Sequence, residues 1–315
     1  MSTKIALQRK KAWKPKTSGA DRIFVIINSA LLVLIFLVTL YPMVFVLSAS
    51  FSDPKLVATG KMVLWPIGLR LDGYKYILQY SEIWLGYANT IFYTFVGTLL
   101  NLGVTLPCAY ALSRHDMRGR SVIMTIFLIT MYFSGGLIPG YLNVRDFGLL
   151  NTRWVLLITG LVSVYNLIVA RTFFSSTIPW DLHEAAFLDG CGDWRVFFRI
   201  VLPLSKPIMV VLMLYYGISH WNAYFNAMIY LRDRNLFPLQ VFLREILTQS
   251  KFAEQAMMSG DYISPEQFAE LTRQAEMADM MKYCIIVVAT APMLIIYPWL
   301  QKFFAKGVMI GSVKG

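Results

Sequence analysis

Between Ser175 and Pro207 the chain reads SSTIPWDLHEAAFLDGCGDWRVFFRIVLPLSKP, and local chemistry divides these residues into two short helices. Pro179 suits a first helical position, where its missing N–H costs nothing. Asp181 and Glu184 complement the positive N-terminal end of the helix, and Gly190 supplies a stop. Asp193 can cap a second helix, Trp194 to Val201, which Pro203 closes. On the first helix Leu182, Ala185, Ala186 and Asp189 fall at i, i+3, i+4 and i+7 and form one narrow face of low relief. Two adjacent alanines let a neighbour approach closely, and Glu184 beside them offers one charge. Such a face either docks a partner or packs the loop on its own bundle, and helix chemistry alone leaves both open.

Moving outward, the loop Arg171–Lys206 is bounded by two intervals without Asp, Glu, Lys or Arg, namely Trp154–Ala170 (17 residues) and Pro207–Leu231 (25 residues). Four more such intervals exist: Ile23–Ser52 (30), Ile83–Ser113 (31), Ser121–Val144 (24) and Tyr283–Gln301 (19). A helix that crosses lipid needs about 20 mostly apolar residues, with about 17 as the lower limit, so all six qualify. The shortest can continue through Thr172, Phe173 and Phe174 if Arg171 snorkels from its end. With 57% hydrophobic residues and a mean hydropathy of +0.56, the reading is an all-α polytopic membrane protein with six transmembrane helices. The first span is too long for a signal-peptide core and precedes no small-residue cleavage site, so it is read as retained. The expected organisation is a basic arm over 1–22, a first span and the start of an outer loop over 23–52, and an outer loop over 53–82. A core with five spans follows over 83–304, containing the loop 171–206 and an outer segment 232–282, and a tail occupies 305–315.

The net charge of +11 would suggest an acidic partner in a soluble protein. Its placement gives another meaning. With both termini cytosolic, the segments 1–22, 113–120, 171–206 and 302–315 hold seven, three, four and three basic residues, 17 in all, against six acidic ones. The other side carries 12 of each sign. The excess is the positive-inside asymmetry of a cell-membrane protein, and no nucleic-acid partner is implied. Cys108, Cys191 and Cys284 lie in spans or in the cytosolic loop and imply no disulfide framework.

Catalytic chemistry is absent from the sequence. His115, His183 and His220 are far apart, no Cys/His metal spacing occurs, and neither G-x-S-x-G nor the phosphate-cradling G-x-x-x-x-G-K-[ST] is present. The chain is read as a non-catalytic membrane subunit with no cofactor or metal of its own.

Glu184-Ala185-Ala186, then Gly190, then Ile200, Leu202 and Pro203 at their spacing resemble the cytoplasmic loop of permease subunits of ABC importers that work with a substrate-binding protein. The Ala109-Tyr110-Ala111-Leu112-Ser113-Arg114 end of span two and the terminal Lys306-Gly307-Val308-Met309-Ile310-Gly311 are similar to the carbohydrate branch, in particular to the smaller permease of maltose-type and complex-polysaccharide importers. The resemblance implies a type I ABC importer permease fold and makes the loop a coupling helix seated in a cleft of an ATPase subunit. Glu184 would meet a basic residue there, Ala185 and Ala186 would enter the cleft with Leu182 and Asp189 on the same face, and Gly190 would make the turn. It implies a second, unlike permease subunit, two ATPase subunits that bind ATP and Mg, and an extracytoplasmic solute-binding protein. The function expected is import of a sugar or oligosaccharide by alternating access. A non-carbohydrate solute is the alternative, and a self-contained secondary transporter is disfavoured because the six spans lack Asp and Glu.

A transport path needs polar groups in the spans that face a cavity rather than lipid. The candidates are Asn89, Tyr93 and Asn101 in span two, Tyr132 and Ser134 in span three, and Tyr165 and Asn166 in span four. Span five adds Tyr215, Tyr216, Trp221, Asn222 and Asn226. Aromatic faces beside amides suit a sugar, whose C–H faces stack while its hydroxyls hydrogen-bond. Each of these residues has a structural alternative as an interfacial anchor or a helix bridge. Ser134-Gly135-Gly136 reads as a helix break. Ser264-Pro265-Glu266-Gln267 reads as a capping box opening a helix that runs toward span six.

Overall fold

The computed structural model describes residues 18–258 and 265–307. Most of the basic arm, Ser264 of the expected capping box, and the tail beyond Gly307 lie outside those residues.

The first helix, α1 (Gly19–Ala49), opens where Asp21 accepts a hydrogen bond from the Ser18 backbone N–H at 2.9 Å. Its most apolar stretch is wholly unburied; only its far end, at Ser48 and Ala49, is covered, near Met62 and Tyr283. The segment 53–82 is more ordered than an extended loop. It forms α2 (Pro54–Ala58), capped by Asp53, and α3 (Asp72–Gln79), which packs on the last helix of the chain.

The central element is α4 (Ser81–Ser113), 33 residues and so about 50 Å long at 1.5 Å per residue. Around it lie α5 (Arg120–Tyr132), α6 (Leu137–Asp146), α7 (Arg153–Ile158) and α8 (Val164–Thr177). The loop region follows as α9 (Trp180–Leu188), α10 (Asp193–Val196), a π-helical turn over Phe197–Val201 and α11 (Leu202–Leu204). The chain then returns through α12 (Lys206–Trp221), α13 (Phe225–Tyr230), α14 (Leu239–Met258) and α15 (Pro265–Gly307). The expected helix from Pro265 thus runs unbroken into the last span.

Among the described residues three helices are long and apolar enough to cross a membrane alone: α1, α4 and the Ala275–Pro298 part of α15. The other three charge-free intervals are not single helices. Ser121–Val144 folds as α5 and α6, bent by 114° at the expected Ser134-Gly135-Gly136 break, where Gly136 takes φ +89°. Trp154–Ala170 splits into α7 and the start of α8 around Gly160, at φ +82°. Pro207–Leu231 splits after Trp221. As expected, α8 continues past Arg171, whose Nε donates to the Leu112 carbonyl at 3.0 Å.

The loop reading needs four corrections. Pro179 is the cap before α9 rather than its first residue, and Asp193 begins α10 after a Gly192 cap. Pro203 does not close the second helix. The π turn shifts the register so that the Leu202 N–H bonds the Phe197 carbonyl, the backbone passes Pro203, and the break comes at Ser205. A wide turn accommodates a proline because it removes the demand for the amide hydrogen that proline lacks. Fourth, the face Leu182, Ala185, Ala186, Asp189 is split. Ala186 is 5% exposed and packs with Tyr110, Phe174, Val196 and Phe197 of its own bundle, Leu182 is half-buried, and Ala185 and Asp189 are exposed.

Candidate functional site

The two ends of α4 are tied to opposite parts of the chain by ions. At its start Glu82 accepts from Arg234 at 2.8 Å, and Glu245 of α14 accepts from the same guanidinium at 3.0 Å. Just past its other end, Arg114 pairs with Asp116 and with Asp193 of α10. The Arg114 guanidinium also lies 6.0, 6.0 and 5.5 Å from the ring centroids of Tyr110, Trp180 and Phe187. His183 of α9 is stacked between Trp180 and Tyr110, with centroids at 5.2 and 5.7 Å, and burial holds its pKa below the ordinary histidine value. The expected coupling loop is therefore clamped to α4 by Arg114 and His183. Sequence reasoning missed both, because nothing in a single loop indicates that the end of a distant span folds beneath it. The outward side of α9 carries Asp181, Glu184, Ala185 and Leu188, the last 89% exposed. Gly190 makes the turn at φ +76°, Ile200 and Leu202 are half-buried, and Pro203 is exposed.

Between the buried cluster at the α9 end and the one around Tyr93, Leu156 and Tyr230 lies a cavity of about 450 Å³. Of the sequence candidates it is lined by Tyr93, Asn101, Tyr165, Asn166, Tyr215, Tyr216 and Asn226, because α4, α8, α12 and α13 converge there. The Tyr165 and Tyr215 rings lie 6.4 Å apart and are 54% and 40% exposed, forming an aromatic rim. The break between α7 and α8 contributes Thr159, Gly160 and Ser163. Its backbone is held by side chains: Asn101 Nδ2 donates to the Leu161 carbonyl at 2.6 Å and the Gly160 carbonyl at 3.3 Å, and the Ser163 N–H donates to the Tyr216 hydroxyl at 3.2 Å. Non-helical backbone at membrane depth is stable only where protein or a cavity satisfies it. The Gly160 breaker within a short span was the signal for this wall, and the sequence reading passed over it.

Five candidates lie elsewhere. Asn89 is buried as a bridge, donating to the carbonyls of Asn235 at 2.7 Å and Phe237 at 3.1 Å and accepting from Arg153. Trp221 donates to the Ala289 carbonyl at 3.0 Å and joins α12 to α15. Asn222 opens onto a separate apolar groove between α1, α12 and α15. Tyr132 is 77% exposed at the end of α5, and neither it nor Ser134 lines the cavity. No group of His, Cys, Asp and Glu able to hold a metal ion occurs among the described residues.

Comparison with known proteins identifies the frame that carries this cavity. Residues 83–310 match the family described as binding-protein-dependent transport system inner membrane component. The chain is 38% identical over 297 residues to the polygalacturonan/rhamnogalacturonan transport system permease protein YtcP of Bacillus subtilis, covering 94% of this chain and 99% of that one. It is 27% identical to the diacetylchitobiose uptake system permease protein NgcG of Streptomyces coelicolor, over 94% of this chain and 91% of that one. A crystal structure of a bacterial ABC transporter involved in the import of the acidic polysaccharide alginate contains a chain that superposes with a TM-score of 0.79. That chain is 36% identical, and the match covers 92% of this chain and all of that one. The apolar helices, the broken helices around one cavity and these matches together place the chain in the family of binding-protein-dependent transport system inner membrane components.

Proposed function

We propose that this chain is one of two unlike permease subunits of an ATP-driven importer that moves an oligosaccharide, delivered by an extracytoplasmic binding protein, through the cavity between α4, α8, α12 and α13. The observation that carries this reading is the cavity itself: aromatic rims, amides and hydroxyls converge on an opening bounded by broken helices. Those groups match the stacking faces and hydroxyl edges of a sugar. The substrates named for the relatives are glycans, some of them acidic, which agrees with it.

ATP and Mg are bound by separate ATPase subunits, and α9 docks on one of them through Asp181, Glu184, Ala185 and Leu188. The α9 end faces the cytosol together with both termini, in keeping with the basic residues on that side. The uncovered apolar length of α1 supports a second permease subunit beside it. ATP-driven closure of the ATPases shifts the loop, which Arg114 ties to α4, and the cavity alternates between the two faces.

The test is co-expression with the chain's partner subunits, reconstitution in proteoliposomes, and measurement of ATP- and binding-protein-dependent uptake over a glycan panel. Uptake of at least one oligosaccharide that requires both ATP and the binding protein is expected. Uptake of glycan by this chain alone, driven by an ion gradient, would overturn the reading.

A further inference from the structure

None of the cavity-lining residues is Asp, Glu, Lys or Arg, so whatever the cavity recognises it meets through dipoles. One of those dipoles is fixed by a chain of acceptors. Gly97, at the midpoint of α4, leaves room for the His220 ring of α12: a Cβ at Gly97 would stand 2.5 Å from His220 Nε2. That nitrogen lies 2.7 Å from Asn101 Oδ1. The Asn101 amide cannot be turned the other way, because its opposite side faces the carbonyls of Gly160 and Leu161, which only accept. Its NH₂ must point to them, its Oδ1 must point to His220, and Nε2 must therefore carry the proton. His220 Nδ1 has no partner among the described residues, and His220 lines the cavity. No described residue stands where it could accept a proton from Nδ1, so in the neutral Nε2–H tautomer the Nδ1 lone pair is the face that the ring presents to the cavity.

Resting on the oligosaccharide reading above, we propose that His220 is a specificity-determining residue whose Nδ1 lone pair accepts a hydrogen bond from a sugar hydroxyl. Asn101 is the positioning residue that fixes its tautomer. The site then reads the hydroxyl pattern of the glycan and not its charge. A carboxylate has no proton to give to Nδ1, so an acidic sugar presents a hydroxyl edge to His220 and places its carboxylate elsewhere. The same network ties the recognising ring to the broken wall at Gly160 and Leu161, so the acceptor and the cavity wall move as a unit.

The experiment uses the complete transporter in nanodiscs and proteoliposomes, with tri-galacturonate and its fully methyl-esterified counterpart as probes. In ¹⁵N-histidine spectra, with the His220 signal identified by its loss in His220→Gln, Nδ1 is expected to resonate as an unprotonated nitrogen and to shift when either probe is added. In Asn101→Leu the signal should move toward a mixture of tautomers. In uptake assays His220→Phe should raise KM for both probes about five- to tenfold, the loss of one neutral hydrogen bond, with the maximal rate held within about twofold. His220→Gln, whose amide can donate to Asn101 and accept from the sugar, should recover most of the KM. A protonated Nδ1 in the resting complex, or an unchanged KM in His220→Phe for a probe that the wild type transports, overturns the inference and leaves the permease reading standing. A wild-type complex that moves no glycan overturns both.

Discussion

Replacing Arg114 with Met tests how much of the hold of α4 on the loop Trp180–Val201 comes from the Arg114 guanidinium. The stem survives and the guanidinium is lost. Its partners Asp116 and Asp193 are 46% and 65% exposed, so each pair is worth about 0.5–1 kcal/mol and neither carboxylate is stranded without water when the arginine goes. The three rings at 5.5–6.0 Å are at the outer range of cation–π attraction and together contribute about 1–1.5 kcal/mol. The guanidinium therefore favours docking by about 2–3.5 kcal/mol, which is roughly a 30- to 300-fold shift in the equilibrium between docked and released loop. Hydrogen exchange of the amides between Leu182 and Val201, measured on the assembled transporter in nanodiscs, should accelerate by that factor. Transport per ATP hydrolysed should fall with it. Arg114→Lys, which keeps the charge but loses the planar fork, should lie between the two. Exchange within threefold of wild type in Arg114→Met would refute the clamp.

Three further outcomes follow from the packing. A Cβ at Gly73 would stand 2.3 Å from the Met280 carbonyl oxygen and 2.7 Å from Cys284 Sγ. Gly73→Ala should thus push α3 off α15 and cost about 1–3 kcal/mol, read as a lowered unfolding midpoint of the purified complex; an unchanged midpoint contradicts this close approach. Burial holds the His183 pKa below 6.5, so the released loop takes up a proton before the docked one. Docking should be complete above pH 6.5 and weaken as pH falls below it, and His183→Phe should abolish that dependence in hydrogen exchange; the same pH profile in the variant would exclude His183 as its source. Finally, Ala186→Leu should overpack the bundle and loosen α9 even without the ATPase, by about 1–3 kcal/mol. Ala185→Leu should leave α9 protected and weaken only ATPase association in pull-down; equal effects of the two would show that the faces are misassigned.

The contrast between those two alanines shows what was legible in the sequence. Both sit in the same motif and on the same helical stripe, and only the position of Tyr110, Phe174 and Phe197 turns Ala186 inward. Asn89 and Asn101 are likewise the same side chain on the same helix. One is consumed by the carbonyls of Asn235 and Phe237, while the other braces a cavity wall. Aromatic and amide content singled out seven of the cavity residues, but it equally selected Trp221 and Tyr132, since an interfacial anchor and a sugar platform have the same composition.

The sequence by itself determined where lipid can be, because a charge inside a bilayer is costly at whatever position it occurs and that cost is local. It indicated two short loop helices and the Gly190 turn for the same reason, since caps and turns are settled within four or five residues, although each helix start fell one residue from its expected place. Only the tertiary structure decided that two further charge-free runs break, that Pro203 is passed by a π turn, and that His220, Asn101 and Gly160 meet at the midpoint of α4. Those outcomes depend on which groups from distant helices arrive to satisfy a broken backbone, and hydrogen-bond partners more than 50 residues apart leave no periodicity to read.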